Sequence, residues 1–143
     1  MPTPEATETL VLDTHVWVWL MQGASELKPA LRKRLQAAAR NGGLRVSVIS
    51  VWEVAMLEAK GRLVFAEDCQ QWVRRALAAP GLRLEPLSTE VAIASTRLPG
   101  HFRGDLADRM LIATARELGG LLVTADRAVL QYARRGHLRV VPA

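Results

Sequence analysis

The sequence predicts an α/β protein, a three-layer α/β/α sandwich with a central, mainly parallel sheet. Short apolar and β-branched runs alternate along the chain with longer segments in which apolar residues recur at helical spacing. Glycine, proline or asparagine follows most of the helical segments. Strands that alternate with helices in this way pair in parallel and are covered by helices on both faces.

Five short segments are predicted to be strands. Residues 10–12 and 121–124 are apolar runs typical of buried strands, and residues 44–49 are rich in β-branched side chains. The complete set is 10–12, 44–49, 82–87, 121–124 and 138–141.

Seven longer segments are predicted to be helices. In residues 29–40, for example, Leu31, Leu35 and Ala38 recur at helical spacing before a stop signal that begins at Asn41. The complete set is 16–21, 29–40, 50–60, 67–79, 88–98, 105–118 and 126–134, with a loop at 99–104.

The length of 143 residues fits a single domain over residues 10–143, preceded by a short N-terminal extension at residues 1–9. A lone cysteine, Cys69, excludes an intrachain disulfide and fits a reducing compartment. No apolar run approaches the ~18 residues of a membrane span, and the N-terminus lacks the features of a signal peptide. We therefore expect a cytoplasmic protein that makes no membrane contact.

The chain carries a net charge of +5, and 16 of its 19 basic residues are arginine. Arginine favours phosphate recognition, because its guanidinium group binds two phosphate oxygens at once. The same composition arises in genomes biased toward arginine codons. Charge alone therefore does not decide between a nucleic-acid partner and a neutral explanation.

The most informative residues are acids placed where predicted strands end or helices begin. Asp13 directly follows the first strand, Glu53 lies one turn into the helix after the second strand, and Asp126 lies just beyond the fourth strand. Asp105 and Asp108 occupy the first turn of the helix that leads into that fourth strand. Because the carboxyl ends of parallel strands meet at one edge of a sheet, we expect these acids to share a crevice.

Several carboxylates in one crevice repel each other unless a cation neutralises them. Oxygen ligands favour Mg²⁺ or Mn²⁺ over zinc, and the three histidines lack the spacing of metal ligands. Ions of this type activate water and stabilise the charge that develops on a phosphodiester. The acids therefore predict a metal-dependent hydrolase.

Each acid also has a structural interpretation. The stretch SVWE (50–53) fits a capping box, and that motif alone favours a capping role for Glu53. Asp105 and Asp126 fit helix N-caps, with Asp108 where negative charge suits the helix dipole. Asp13 has no evident local structural role, because it directly follows a buried strand. The catalytic interpretation depends on the convergence of these residues.

Two other chemistries fit less well. The chain has neither a P-loop nor a GxGxxG motif, so a glycine-rich nucleotide-binding loop is not predicted. A receiver-like or phosphatase-like domain would need a second acid beside Asp13 and a lysine late in the chain, whereas the last lysine is Lys60.

At the level of motifs, the chain resembles the PIN-domain nucleases, and within them the VapC-like toxins of bacterial toxin–antitoxin pairs. Four stretches match in the family's order and are spread across nearly the whole chain, with only the first eight or nine residues before the first of them. They are LVLDTHVWVW (10–19), VISVWEVAMLEAKGRL (48–63), DLADRMLIATARELGGLLVTAD (105–126) and LRVVP (138–142).

The resemblance implies a parallel sheet between helices and an Mg²⁺- or Mn²⁺-dependent endoribonuclease. It also implies a toxin that a cognate antitoxin holds inactive, with RNA as the substrate, and we expect a homodimer. The alternative is a non-cleaving RNA-binding module of the same fold. The complete set of acids argues against that alternative.

The resemblance assigns roles to individual residues. Asp13, Glu53 and Asp108 match the family's first three acids, and Asp126 matches its fourth, more variable acid. Asp105 looks like an additional acid of the toxin subgroup.

Residues of two other types accompany these acids. Thr14 and Thr124 match hydroxyl positions beside the metal site. Arg103, Arg109 and Arg127 flank the acids in the sequence and are expected either to hold RNA phosphates or to screen the acids.

Overall fold

A computed structural model describes residues 8–143 of the protein. Within these residues the chain forms five strands and seven helices, and the predicted fold class is confirmed. The strands are β1 (Leu10–Leu12), β2 (Leu44–Ser47), β3 (Leu82–Glu85), β4 (Leu121–Thr124) and β5 (Val140–Pro142). The helices are α1 (Thr14–Gln22), α2 (Pro29–Arg40), α3 (Val48–Ala59), α4 (Cys69–Leu77), α5 (Thr89–Ser95), α6 (Leu106–Glu117) and α7 (Arg127–Arg134).

The five strands form one sheet in the order β3-β2-β1-β4-β5, and every strand pair is parallel. The chain builds outward from β1 through β2 to β3, and then crosses to the other side of β1 to form β4 and β5. The direction of winding therefore reverses between β1 and β4. A reversal of this kind opens a crevice at the carboxyl ends of the two strands.

The central strand β1 contacts both helical layers, because successive side chains in a strand point to opposite faces. Leu10 and Leu12 pack with the cluster that contains Trp17 of α1 and Trp72 of α4. Val11 packs on the other face with a cluster that includes residues of α6 and α7. All three β1 residues are fully buried. The sheet is thus the middle layer of three.

Two helices begin earlier than the sequence predicted. α1 begins at Thr14 instead of residue 16, and α3 begins at Val48 instead of residue 50. The Ser47 hydroxyl accepts a hydrogen bond from the Ile49 amide at 3.1 Å and caps α3. The β-branched residues Val48 and Ile49 therefore start a helix, although they extend the predicted strand.

Only Glu8 and Thr9 of the expected N-terminal extension lie within the described residues. Glu8 forms an ion pair with Arg34 of α2, and the Thr9 carbonyl accepts a hydrogen bond from the Leu121 amide. Residues 1–7 lie outside the described part of the chain. No helix in the described part has the length and apolar character needed to cross a membrane.

Gly81 provides a test of how β3 docks against α2. It has a φ of +78°, and a Cβ at this position would collide with the backbone of Ala39 in α2. Gly61 has a similar φ of +72° but open space around it. We expect Gly61→Ala to lower the free energy of unfolding by about 1 kcal/mol. Gly81→Ala should cost at least about 2 kcal/mol, because the collision adds to the backbone strain.

Urea denaturation of the two variants measures this difference directly. Equal losses of stability would show that the close approach of Gly81 to α2 adds no cost beyond that of placing alanine at a positive φ.

Candidate active site

A cleft of about 370 Å³ opens at the carboxyl ends of β1 and β4. Five of its nine lining residues are acidic, and none is arginine or lysine. The lining residues are Asp13, His15, Val16, Trp19, Glu53, Asp105, Asp108, Ala125 and Asp126. The structure therefore brings all five acids singled out in the sequence to one place.

Asp13 is the most firmly held of the five acids. It is buried between β1 and α1, and its carboxylate accepts hydrogen bonds from the Thr14 amide at 2.7 Å and the Thr124 hydroxyl at 2.6 Å. Burial raises the pKa of this carboxyl group, and the hydrogen bond from Thr124 partly offsets the rise. The expectation that Asp13 has no local structural role was wrong, because α1 begins at Thr14 and places Asp13 at its N-cap.

Glu53 has no capping role, so the capping-box interpretation was also wrong. Ser47 caps α3, which leaves Ser50 inside the helix and Glu53 in its second turn. Glu53 is half-buried and lines the cleft. Burial raises the pKa of its carboxyl group, and a hydrogen bond from Thr14 partly offsets the rise.

The Thr14 hydroxyl links Glu53 to the interior of α3. Its oxygen lies 2.9 Å from the hydroxyl oxygen of Ser50, and both side chains are fully buried. Ser50 lies inside α3 and not at the helix start that the sequence predicted, so the sequence did not reveal this contact.

Asp105 and Asp126 are helix N-caps, as their structural interpretation predicted. Asp105 accepts from the Asp108 amide at 2.9 Å at the start of α6, and Asp126 accepts from the Val129 amide at 3.0 Å at the start of α7. Each cap uses one carboxylate oxygen. Because both residues also line the cleft, capping and membership of the acidic cluster are compatible.

Thr124 connects the two strand ends that border the cleft. Its hydroxyl donates to Asp13 and accepts from the Asp126 amide at 3.0 Å. Because Thr124 is fully buried at the end of β4, these two bonds fix the position of Asp13 relative to the start of α7.

Asp108 is the acid whose ionisation is perturbed most. Burial, together with the charges of Asp105, Asp126, Asp13 and Glu53, raises the pKa of its carboxyl group to about 7. Asp108 therefore lies where the fields of the other four carboxylates overlap.

Two further cleft residues come from α1. His15 is exposed and Trp19 is half-buried, and their ring centroids lie 6.4 Å apart. Neither residue is among the site residues that the sequence predicted. A helix that begins at residue 14 puts positions 15 and 19 on one face, so an accurate helix start was the missing signal.

The three arginines expected near the acids do not line the acidic cleft. Arg109 is half-buried on α6, Arg127 is exposed at the start of α7, and Arg103 lines a neighbouring cavity. The ion pairs found within residues 8–143 all lie elsewhere: Glu8 with Arg34, Glu85 with Arg45, and Glu67 with Arg75. Any screening of the acids by these arginines therefore acts without direct contact.

The donor set fits a hard divalent cation. Apart from the His15 ring, the cleft's ionisable side chains offer only carboxylate oxygens, which Mg²⁺ and Mn²⁺ prefer. No three acidic, histidine or cysteine side chains in residues 8–143 already form a ligand cluster. Like charges without a cation hold each other apart, so a change of side-chain rotamer would have to accompany binding.

The model of the PIN domain family matches residues 10–135, which include all five acids of the cleft. The chain belongs to the PIN domain family. One relative, Ribonuclease VapC22 of Mycobacterium tuberculosis (strain ATCC 25618 / H37Rv), is 34% identical over 119 residues. The match covers 83% of this chain and 88% of the relative.

Solved structures of two VapBC proteins share the fold of this chain. The DNA-bound VapBC of Salmonella typhimurium has a TM-score of 0.69 at 16% identity. The match covers 94% of this chain and 98% of the Salmonella chain. VapBC2 of Rickettsia felis, bound to a DNA fragment from its promoter, has a TM-score of 0.67 at 17% identity. That match covers 93% of this chain and 97% of the other.

The raised pKa of Asp108 predicts that the metal-free protein becomes less stable as pH rises from about 4 to about 7. In this window the folded state keeps a proton that the unfolded state releases. The upward shifts at Asp13 and Glu53 act in the same direction. In EDTA, the Tm of the wild type should therefore be lower at about pH 8 than at about pH 5.5.

Asp108→Asn should remove much of this pH dependence and raise Tm at about pH 8 by a few degrees. Glu117→Gln is the matched control, because Glu117 is exposed at the far end of α6, outside the cleft. A wild type and an Asp108→Asn variant with the same pH dependence would contradict the crowding of charge around Asp108.

Proposed function

We propose that this PIN-domain protein is an Mg²⁺- or Mn²⁺-dependent endoribonuclease that hydrolyses RNA phosphodiester bonds, and the toxin of a toxin–antitoxin pair. The observation that carries the proposal is the convergence of five carboxylates in one cleft with no arginine or lysine in its lining. Likeness to a ribonuclease of the VapC group supports the choice of RNA as substrate.

Asp13 and Asp108 are proposed as the principal metal ligands, with Glu53 and Asp126 completing or orienting the site. When bound, the metal supplies an activated water and neutralises charge on the phosphodiester. Hydrogen bonds from Thr14 and Thr124 hold the Asp13 carboxylate in one orientation, as outer partners of a metal ligand do. Asp105 adds negative charge to the same cleft while it caps α6.

The acidic cleft by itself repels RNA, because both carry negative charge. The proposed contacts to flanking phosphates are therefore arginines outside the cleft: Arg103 before α6, Arg109 within it and Arg127 at the start of α7. Such contacts position a nucleic acid without reading its sequence. They leave the scissile phosphate to the carboxylates and their cation.

The proposed partner is a cognate antitoxin, and the likeness to VapBC structures supports this choice. We also propose a homodimer. Trp52, Ile93 and Leu106 are large apolar side chains, each about half exposed, on α3, α5 and α6. Because α6 packs against both α3 and α5, these side chains lie on adjoining helices, and exposed apolar surface of this kind is typical of an interface.

The proposal includes the domain boundaries and the cellular compartment. Residues 10–143 form the nuclease domain, with residues 1–9 as a short extension before it. A toxin that cleaves cellular RNA acts in the cytoplasm, so we assign it to that compartment.

Glu53→Gln tests the function, because the change removes a charge from the cleft while Ser47 continues to cap α3. With Mg²⁺ or Mn²⁺, the wild type should cleave a mixed-sequence single-stranded RNA, and EDTA should stop the reaction. We expect Glu53→Gln to cleave at least about 100-fold more slowly, as is typical when a group that supports a metal site is lost. Its metal-free Tm should equal or exceed that of the wild type, because repulsion in the cleft falls.

Glu58→Gln makes the same chemical change on α3 outside the cleft and should cleave normally. Wild-type cleavage by Glu53→Gln would remove Glu53 from the site and leave Asp13, Asp108 and Asp126. A folded wild type that binds RNA but cleaves none with either metal would support the non-cleaving module instead.

A further inference from the structure

A second cavity, of about 300 Å³, lies beside the acidic cleft. One wall is the loop at residues 101–104, and the other is the face of α7 that carries Ala128, Gln131 and Tyr132. The chain joins the two cavities directly, since Gly104 precedes Asp105 of the cleft. We call this cavity the loop pocket.

The loop that forms the pocket has a specific, constrained conformation. Gly100 and His101 both have left-handed φ angles, of +73° and +55°. His101 is the one non-glycine residue in the described part of the chain with a positive φ. Such a conformation costs on the order of 1–3 kcal/mol and persists only where surrounding contacts enforce it.

Two side chains enforce this conformation, that of Tyr132 in α7 and that of Arg135 at the C-cap of α7. The Tyr132 hydroxyl donates to the Pro99 carbonyl at 2.6 Å, and the Arg135 guanidinium donates to the Gly100 carbonyl. Two consecutive residues of the loop, Pro99 and Gly100, are thus hydrogen-bonded to side chains at the C-terminal end of α7. A constrained loop next to a candidate active site fits a role in binding.

The loop also fixes an aromatic ring in the pocket. Phe102 is half-buried and meets Tyr132 edge to face, with ring centroids 5.3 Å apart. Gly104 makes this placement possible, because a Cβ at residue 104 would collide with the Phe102 ring. The ring is therefore held at a defined position in the pocket wall.

The remaining lining residues add polar and cationic groups. Gln131 presents an amide, which both donates and accepts hydrogen bonds, on the α7 wall. His101 and Arg103 are exposed at the loop wall, and none of the ion pairs within residues 8–143 involves them. An aromatic ring, an amide and a cation are the groups that bind the base, the base edge and the phosphate of a single-stranded nucleotide.

We propose that the loop pocket binds one nucleotide of single-stranded RNA next to the scissile phosphate. This inference rests on the proposed ribonuclease function and extends its site by one nucleotide. Phe102 provides the surface for the base, Gln131 meets the base edge, and Arg103 meets the phosphate. RNA is favoured over a protein segment because the pocket adjoins the candidate catalytic cleft and its exposed charged side chains, Arg103 and Arg135, are cationic.

Fluorescence anisotropy with a labelled, mixed-sequence single-stranded RNA of about 12 nucleotides tests the proposal in EDTA, where cleavage is stopped. Phe102→Leu removes the aromatic face, and Gln131→Ala removes the amide from an exposed position that is safe for folding. We expect Phe102→Leu to weaken binding about tenfold, the effect typical of losing one stacked base. Gln131→Ala should weaken binding severalfold.

A second probe of the same length, with a sugar–phosphate backbone but no bases, separates base contacts from charge. Phe102→Leu and Gln131→Ala should bind this abasic probe as the wild type does. Gln36→Ala is the matched control, because Gln36 is exposed on α2 and does not line either cavity. It should bind both probes normally.

The outcomes distinguish the two proposals. If the wild type binds and cleaves RNA but both pocket variants bind it with wild-type affinity, the pocket inference is overturned and a protein segment becomes the better occupant. If the wild type and Gln36→Ala bind no RNA in EDTA and cleave none with Mg²⁺ or Mn²⁺, the ribonuclease proposal fails, and the pocket inference falls with it.

Discussion

Repulsion among five carboxylates in one cleft is the constraint on which the rest of this structure depends. The cleft lining has no arginine or lysine; burial and neighbouring negative charges raise the pKa values of Asp13, Glu53 and Asp108, and that of Asp108 reaches about 7. A fold retains such an arrangement only if something compensates for it. A divalent cation is the compensation that matches an almost entirely oxygen-donor set, and it also supplies the chemistry proposed for RNA.

The fold itself provides part of the compensation. Asp13, Asp105 and Asp126 each cap a helix, so the N-termini of α1, α6 and α7 converge on the cleft. The partial positive charge of a helix N-terminus stabilises a nearby carboxylate. Buried hydroxyl groups, of which Thr124 is the clearest case, fix the acids where the two central strands end. Structural and functional roles thus coincide in the same side chains.

Most of the fold could be predicted from the sequence, because buried strands and amphipathic helices have distinct periodicities. The errors that bear on the site fell at helix starts, where β-branched residues such as Val48 and Ile49 fit either state and tertiary packing decides. Those errors changed the structural roles of two acids. Asp13 caps a helix, which was not predicted, and Glu53 does not take part in the capping that was predicted for it. The convergence of the acids was predictable because the carboxyl ends of parallel strands meet at one edge of a sheet. The loop pocket, in contrast, depends on backbone angles at Gly100 and His101 that periodicity does not encode.

Cation binding by the acidic cleft is the central claim, and thermal unfolding with and without Mn²⁺ tests it most directly. A saturating cation should raise the stability of the wild type, by about 2.7 kcal/mol at 100 times Kd. Asp13→Asn should lose most of that gain, whereas Asp68→Asn, at the cap of α4 outside the cleft, should retain it. A wild-type Tm that is indifferent to both Mn²⁺ and Mg²⁺ would contradict the account.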